Sequence, residues 1–140
     1  MREIIFRGKC LNCQKFKYGD LEHSDDEALI NAFSFFNKEC WCDASVYVDP
    51  ETVGQYTGLT DKNGVKIFEG DVVRCVSRLD YTNMVVIFED GEFRMVKCED
   101  YKTYTTGNGY FSVRCFYKEV IGNIYDNPEL IGGNEDENSI

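Results

Sequence analysis

The sequence predicts a mainly β fold of the α+β class: a small barrel or meander of antiparallel or mixed strands behind a less regular N-terminal hairpin region. Three observations carry that prediction. Short β-branched and aromatic runs recur along the chain, turn residues separate them at close intervals, and one segment alone has helical periodicity.

The second half is the more regular. Val72 to Leu79 and Met84 to Phe88 read as two strands joined by the polar link Asp80 to Asn83. Glu89 to Glu92 then makes a tight turn, since Asp90-Gly91 tolerates the positive φ of a hairpin loop, and Phe93 to Cys98 returns with alternating character. A tyrosine-rich stretch passes Thr106-Gly107-Asn108-Gly109 and leads into Tyr110 to Tyr117. The last run, Glu119 to Ile124, ends before Pro128, which lacks the N–H a sheet ladder needs.

The first half opens with a strand at Glu3 to Arg7, a turn holding Cys10 and Cys13, and a return strand at Lys15 to Tyr18. Ser24 and Glu27 form a capping box, and Ala28, Leu29, Ala32, Phe33 and Phe36 keep helical spacing. Leu29, Phe33 and Phe35 also fit one strand face, and the helical reading of 24–36 is only slightly favoured over it. Val46 to Val48 is a short strand running into Asp49-Pro50, a capped turn. Asp61-Lys62-Asn63-Gly64 closes a hairpin between Gln55 to Thr57 and Val65 to Phe68.

A length of 140 residues suits one domain, taken as 1–131, followed by an acidic tail, 132–140, with nothing apolar to anchor most of it. No run approaches the roughly 18 apolar residues of a membrane span, and the charged start does not read as a signal peptide, so a cytoplasmic location in the cell is expected. The formal charge of -10 opposes phosphate-backbone binding and makes nucleic acid a disfavoured partner. The cysteine count of seven is odd, so free thiols are expected, with Cys75, Cys98 and Cys115 as small buried hydrophobes.

The stretch Asp49-Pro50-Glu51-Thr52-Val53-Gly54-Gln55-Tyr56-Thr57-Gly58-Leu59-Thr60-Asp61, continuing as Lys62-Asn63-Gly64-Val65-Lys66-Ile67-Phe68-Glu69-Gly70-Asp71-Val72-Val73-Arg74, strongly resembles the YopX-like proteins of bacteriophages and prophages. The opening Arg2 to Gly8, the Tyr18-Gly19-Asp20-Leu21 block and the closing Glu119 to Leu130 block extend the likeness over nearly the whole chain. The resemblance implies a phage or prophage product of a bacterial host, with an α+β fold containing a small SH3-like barrel. It implies no established activity and supplies no catalytic residues.

Gln55, Tyr56 and Thr57 form a candidate binding patch with the tyrosine ring as platform, although a tyrosine bridging core and solvent is commoner. Cys10, Cys13, Cys40 and Cys42 are candidate ligands of a structural zinc ion, four thiolates completing a tetrahedral site. The single residue between Cys40 and Cys42 is short for such a site, and the alternative is four reduced thiols with no cofactor. The lone His23 excludes chemistry built on several histidines.

These features favour a non-enzymatic module that binds a host or phage protein, or assembles with itself, through a sheet edge or a tyrosine-rich face. An acidic inhibitor of a host factor is one version. A single-stranded nucleic-acid module is the alternative, using Tyr101, Tyr104, Tyr110 and Phe111 with Lys97, Lys102 and Arg114. A metal-assisted enzyme ranks last.

Overall fold

The structure is a computed structural model, and it describes residues 2–32 and 45–132. Cys40, Cys42, the end of the segment read as helix and nearly all of the acidic tail lie outside the described residues. The fold is mainly β, with two antiparallel sheets and no closed barrel among the described residues. The chain divides into two compact units at Gly58 and Leu59.

The first unit contains β1 (Phe6–Lys9), β2 (Phe16–His23), β3 (Ala28–Ala32) and β4 (Ser45–Val48), with the start of β5 (Gly54–Thr60). The sheet order runs β4-β3-β2-β1-β5. Ala28, Ile30 and Val48 are buried in its core, packed by Phe6, Leu21, Val46 and Val53. Ile30 and Val48, both fully buried, contribute about 1.5–3 kcal/mol each. The helix expected over 24–36 is corrected over its described part. The Ser24 N–H donates to the Glu27 carbonyl at 2.9 Å, so the pair closes the hairpin between β2 and β3 and caps no helix. Strand pairing on both sides, Leu21 with Ile30 and Ile30 with Val46, outweighs the local helical spacing.

β4 also meets the far end of β1. Cys10 bridges Val48, and Leu11 donates to the Tyr47 carbonyl at 3.1 Å. Asp49 then accepts the Glu51 N–H at 3.0 Å and starts the 3-10 turn Pro50–Thr52, the capped turn its sequence predicts.

The second unit contains β6 (Lys66–Phe68), which neighbours β5, and a five-stranded sheet of β7 (Asp71–Ser77), β8 (Asp80–Glu89), β9 (Glu92–Lys97), β10 (Phe111–Ser112) and β11 (Tyr117–Asn123). Its order is β10-β9-β8-β7-β11, so the last strand returns beside the first. The β8–β9 turn is the two-residue loop Asp90-Gly91, both at positive φ (56° and 81°), as expected. The preceding turn is corrected: Asp80 to Asn83 is the start of β8 and not a link. Ser77 pairs with Asp80 across Arg78-Leu79, with Arg78 at φ 48°. The Tyr110 to Tyr117 run yields only the two residues of β10 before a turn, where Cys115 is half-buried.

One face of this sheet buries Val73, Cys75, Met84, Val86 and Met95 with Ile67 and Val113. The opposite face buries Val72, Val85 and Cys98 beneath Tyr101 of the 3-10 turn Cys98–Thr103 and Leu130 and Ile131 of the 3-10 turn Pro128–Ile131. That cover stops part-way along the strands.

Candidate functional site

The sequence-predicted patch lies on β5. Tyr56 is 8% exposed and serves packing, while its N–H donates to the Ile5 carbonyl at 2.9 Å. Gln55 and Thr57 are half-buried on either side of it in the chain. Cys10 and Cys13 share the β1–β2 turn, Cys10 buried and Cys13 exposed. Burial works to raise the Cys10 thiol, but the N–H groups of Cys13 and Asn12, the Cys13 side chain and Lys17 outweigh it and hold the thiol below its ordinary pKa. Among the described residues no three His, Cys, Asp or Glu side chains gather to hold a metal ion.

The aromatic residues of the nucleic-acid alternative are engaged within the fold. Tyr101 is half-buried against the covered face, and Phe111 packs on the core. The Tyr104 hydroxyl donates to Glu89 at 2.5 Å, and Tyr110 lies 3.8 Å under the Arg94 guanidinium. Arg94, 5% exposed, is ion-paired with Glu89 at 2.8 Å and with Glu92 at 2.7 Å. The hydrogen bond from Tyr104, ahead of that from Arg94, holds the Glu89 carboxyl below the usual range.

A different surface stands out on the second unit. Directly opposed residues of neighbouring antiparallel strands share a face. Tyr117 of β11 opposes Val76 of β7, and Val76 opposes Tyr81 of β8. This apolar row across three strands is exposed at 65%, 38% and 56%, whereas Val72, Val85 and Cys98 on the same face are buried beneath the two 3-10 turns. Leu79, in the β7–β8 turn between Val76 and Tyr81 in the chain, is wholly exposed.

The next row on the same face is polar: Glu119, Arg74 and Asn83. The Arg74 guanidinium sits 4.7 Å over the Tyr81 ring, yet its Nε is buried without a hydrogen-bond partner, as is Oδ1 of Asn83. A cavity of about 610 Å³ continues from Asn83 to Lys97 and Lys102.

The sheet edges are closed to pairing by contrast. β10 has two residues. On β11, the Val120 N–H donates to Asp61 Oδ2 at 2.9 Å, and Lys62 N–H donates to the Lys118 carbonyl at 3.0 Å. Lys118 points inward and donates its amine to the carbonyls of Cys115 and Phe116, both at 3.0 Å, and a bulge interrupts the register between Val120 and Gly122. Short edges, inward charges and bulges are the devices that prevent edge-to-edge association.

Residues 5–132 match the family described as YopX protein. The chain belongs to the YopX family. A crystal structure of protein EF1440 from Enterococcus faecalis is similar at 25% identity, over 94% of this chain and 99% of that one, with a TM-score of 0.47. No curated protein matches the chain.

The family region of this YopX-family chain includes the exposed row and its polar neighbours, though the residues singled out from the sequence did not. By sequence Val76 reads as an ordinary strand residue, Tyr81 falls in the link Asp80 to Asn83, and Tyr117 ends the Tyr110 to Tyr117 run. A usable signal was present in the alternation Arg74-Cys75-Val76, whose odd and even positions divide between two faces. Which face stays uncovered depends on where the 3-10 turns fall, and local pattern does not contain that.

Proposed function

We propose that this YopX-family chain is a non-enzymatic protein-interaction module made by a phage or prophage in its bacterial host, and that it engages its partner with a sheet face. The observation that carries the reading is the exposed Tyr117–Val76–Tyr81 row beside two closed edges. Tyrosines supply large contact area at small entropic cost, the composition of an interface centre. The strand order of the second unit, with its last strand beside its first, supports the SH3-like reading, a scaffold that presents such faces.

The test is a photo-crosslinking side chain placed at Tyr81 or Tyr117 in host cells, with Asn63 as the control position. Discrete protein adducts from the two tyrosine positions, absent from Asn63, are expected. Adducts of equal yield at all three positions, or none at any, defeat the reading.

A second reading rests on the lowered Cys10 thiol. Cys10, Cys13, Cys40 and Cys42 then hold a structural zinc ion that braces the first unit, thiolates being the form that binds metal. Anaerobic native mass spectrometry decides it: one zinc per chain, lost in Cys13→Ser, supports it, and a metal-free chain ends it.

A further inference from the structure

We infer that Asn108 is a site of spontaneous deamidation, in which the Gly109 backbone nitrogen attacks the Asn108 side-chain amide and water then leaves aspartate or isoaspartate in its place. The fold selects the site, because the other Asn-Gly pair of the chain, Asn63-Gly64, is held against the same reaction. The inference is independent of any partner.

The chemistry needs a free peptide nitrogen beside an asparagine amide. The Gly109 nitrogen gives its proton to hydroxide and bonds to Cγ of Asn108. The Cγ–Nδ2 bond then breaks, Nδ2 takes a proton from water, and ammonia leaves behind a cyclic imide. Water that adds at the imide carbonyl from the Asn108 backbone opens the ring to isoaspartate, and water that adds at Cγ opens it to aspartate. A water is consumed and an ammonia released, with no oxidation or reduction. Glycine permits the attack, since it has no Cβ to crowd the ring and tolerates the backbone angles of the approach.

Sequence and open space do not separate the two pairs. Both glycines have positive φ, 83° at Gly64 and 86° at Gly109, and a Cβ on either would meet nothing within 4 Å. Both asparagines are exposed. Hydrogen bonding separates them. The Gly64 N–H donates to the Asp61 carbonyl at 3.0 Å, and the flanking N–H groups of Asn63 and Val65 donate to Asp61 Oδ1 at 2.8 Å and 2.9 Å. The attacking nitrogen is therefore occupied, and the residues on both sides of it are tied to a buried carboxylate. That carboxylate also opposes the negative charge which the nitrogen must take.

The other turn is pinned only as far as Asn108. The Gly107 N–H donates to Glu89 Oε1 at 3.3 Å and to the Tyr104 hydroxyl at 3.0 Å, and the Asn108 N–H donates to the Thr105 carbonyl at 3.0 Å. The Asn108 side-chain amide donates to Thr105 Oγ1 at 3.4 Å on the exposed surface. The Gly109 N–H has no partner among the described residues. The next backbone pairing is that of Phe111 with Met95 in β10. A nitrogen with no hydrogen bond to break loses its proton and swings onto Cγ at no expense to the fold. The product adds a negative charge to the -10 of the chain, next to the Gly107 N–H that Glu89 holds. Isoaspartate also lengthens the backbone between Gly107 and β10.

The experiment is incubation of the full chain at neutral and at mildly alkaline pH, beside a parallel incubation in urea. Peptide mapping by mass spectrometry and enzymatic methylation of isoaspartate read the two sites. In the folded chain Asn108 is expected to convert at least about tenfold faster than Asn63, equivalent to about 1.4 kcal/mol in barrier, and faster at the higher pH. In urea the two rates should converge, because both nitrogens are then free. Asn108→Asp should comigrate on isoelectric focusing with the acidic form that accumulates, and Asn108→Gln should abolish that form. An Asn108 that does not convert, equal rates at the two sites in the folded chain, or faster conversion of Asn63 overturns the inference. A gap of the same size in urea also overturns it, since local sequence and not the fold would then be the cause.

Discussion

Asp61 accepts three backbone N–H groups, from Asn63 at 2.8 Å, Val65 at 2.9 Å and Val120 at 2.9 Å, and is 8% exposed. Burial pushes its carboxyl up, and the N–H groups of Val120, Val65 and Asn63, with Lys62, bring it below its ordinary value of 3.8. Asp61→Asn keeps one acceptor but turns an amide N–H₂ toward a backbone donor. We expect a loss of about 2 kcal/mol at pH 7, read from the denaturant midpoint. Because the folded pKa is depressed, this stabilisation is present above the unfolded pKa and is lost as pH falls through the folded value. The gap between wild type and Asp61→Asn should hold steady from pH 7 to about 5 and close below 3.8. A gap unchanged in acid would show that the carboxylate charge does not matter. The sequence made the Asp61 turn legible, since Asp-Lys-Asn-Gly is a local signal. Its bond to Val120, 59 residues away, is a property of the folded second unit alone.

At the level of elements, β1 and β4 meet because Gly8 has no side chain. A Cβ there would stand 2.7 Å from Cγ2 and 2.9 Å from Cβ of Val48, which is branched and fully buried. Gly8→Ala is therefore expected to cost about 1–3 kcal/mol, the range for overpacking a core. Adding Val48→Ala should recover part of it, giving a double-mutant coupling of at least about 0.5 kcal/mol in chemical denaturation. Strictly additive losses would mean the strands have another way to separate. Legibility at this scale follows the range of the interactions. The β8–β9 hairpin was readable because Asp90-Gly91 carries its own conformational preference. The 24–36 segment was misread as far as Ala32, because Ser24 and Glu27 have the spacing of a capping box while β2 and β4, on either side, decide for a strand. For the site, Cys10 and Cys13 were found in the turn their spacing predicts. Tyr56 was singled out as a platform and serves packing, and Val76, Tyr81 and Tyr117 gave no local sign of their exposure.

Across the whole molecule, the charge of -10 acts on a charged protein partner from a distance, drawing in a basic one and repelling an acidic one. Salt screens that force, the Debye length falling from about 30 Å at 0.01 M to about 8 Å at 0.15 M. Packing on the Tyr117–Val76–Tyr81 row is apolar and is not screened in this way. The dissociation rate of a partner held there should therefore stay within about twofold as salt rises from about 10 to about 150 mM, while the association rate carries the effect of the net charge. Stopped-flow mixing of the full chain with a partner caught by crosslinking at Tyr81 or Tyr117 separates the two rates. A dissociation rate that climbs steeply with salt would place the binding on charged groups elsewhere, with the Tyr117–Val76–Tyr81 face left for another role.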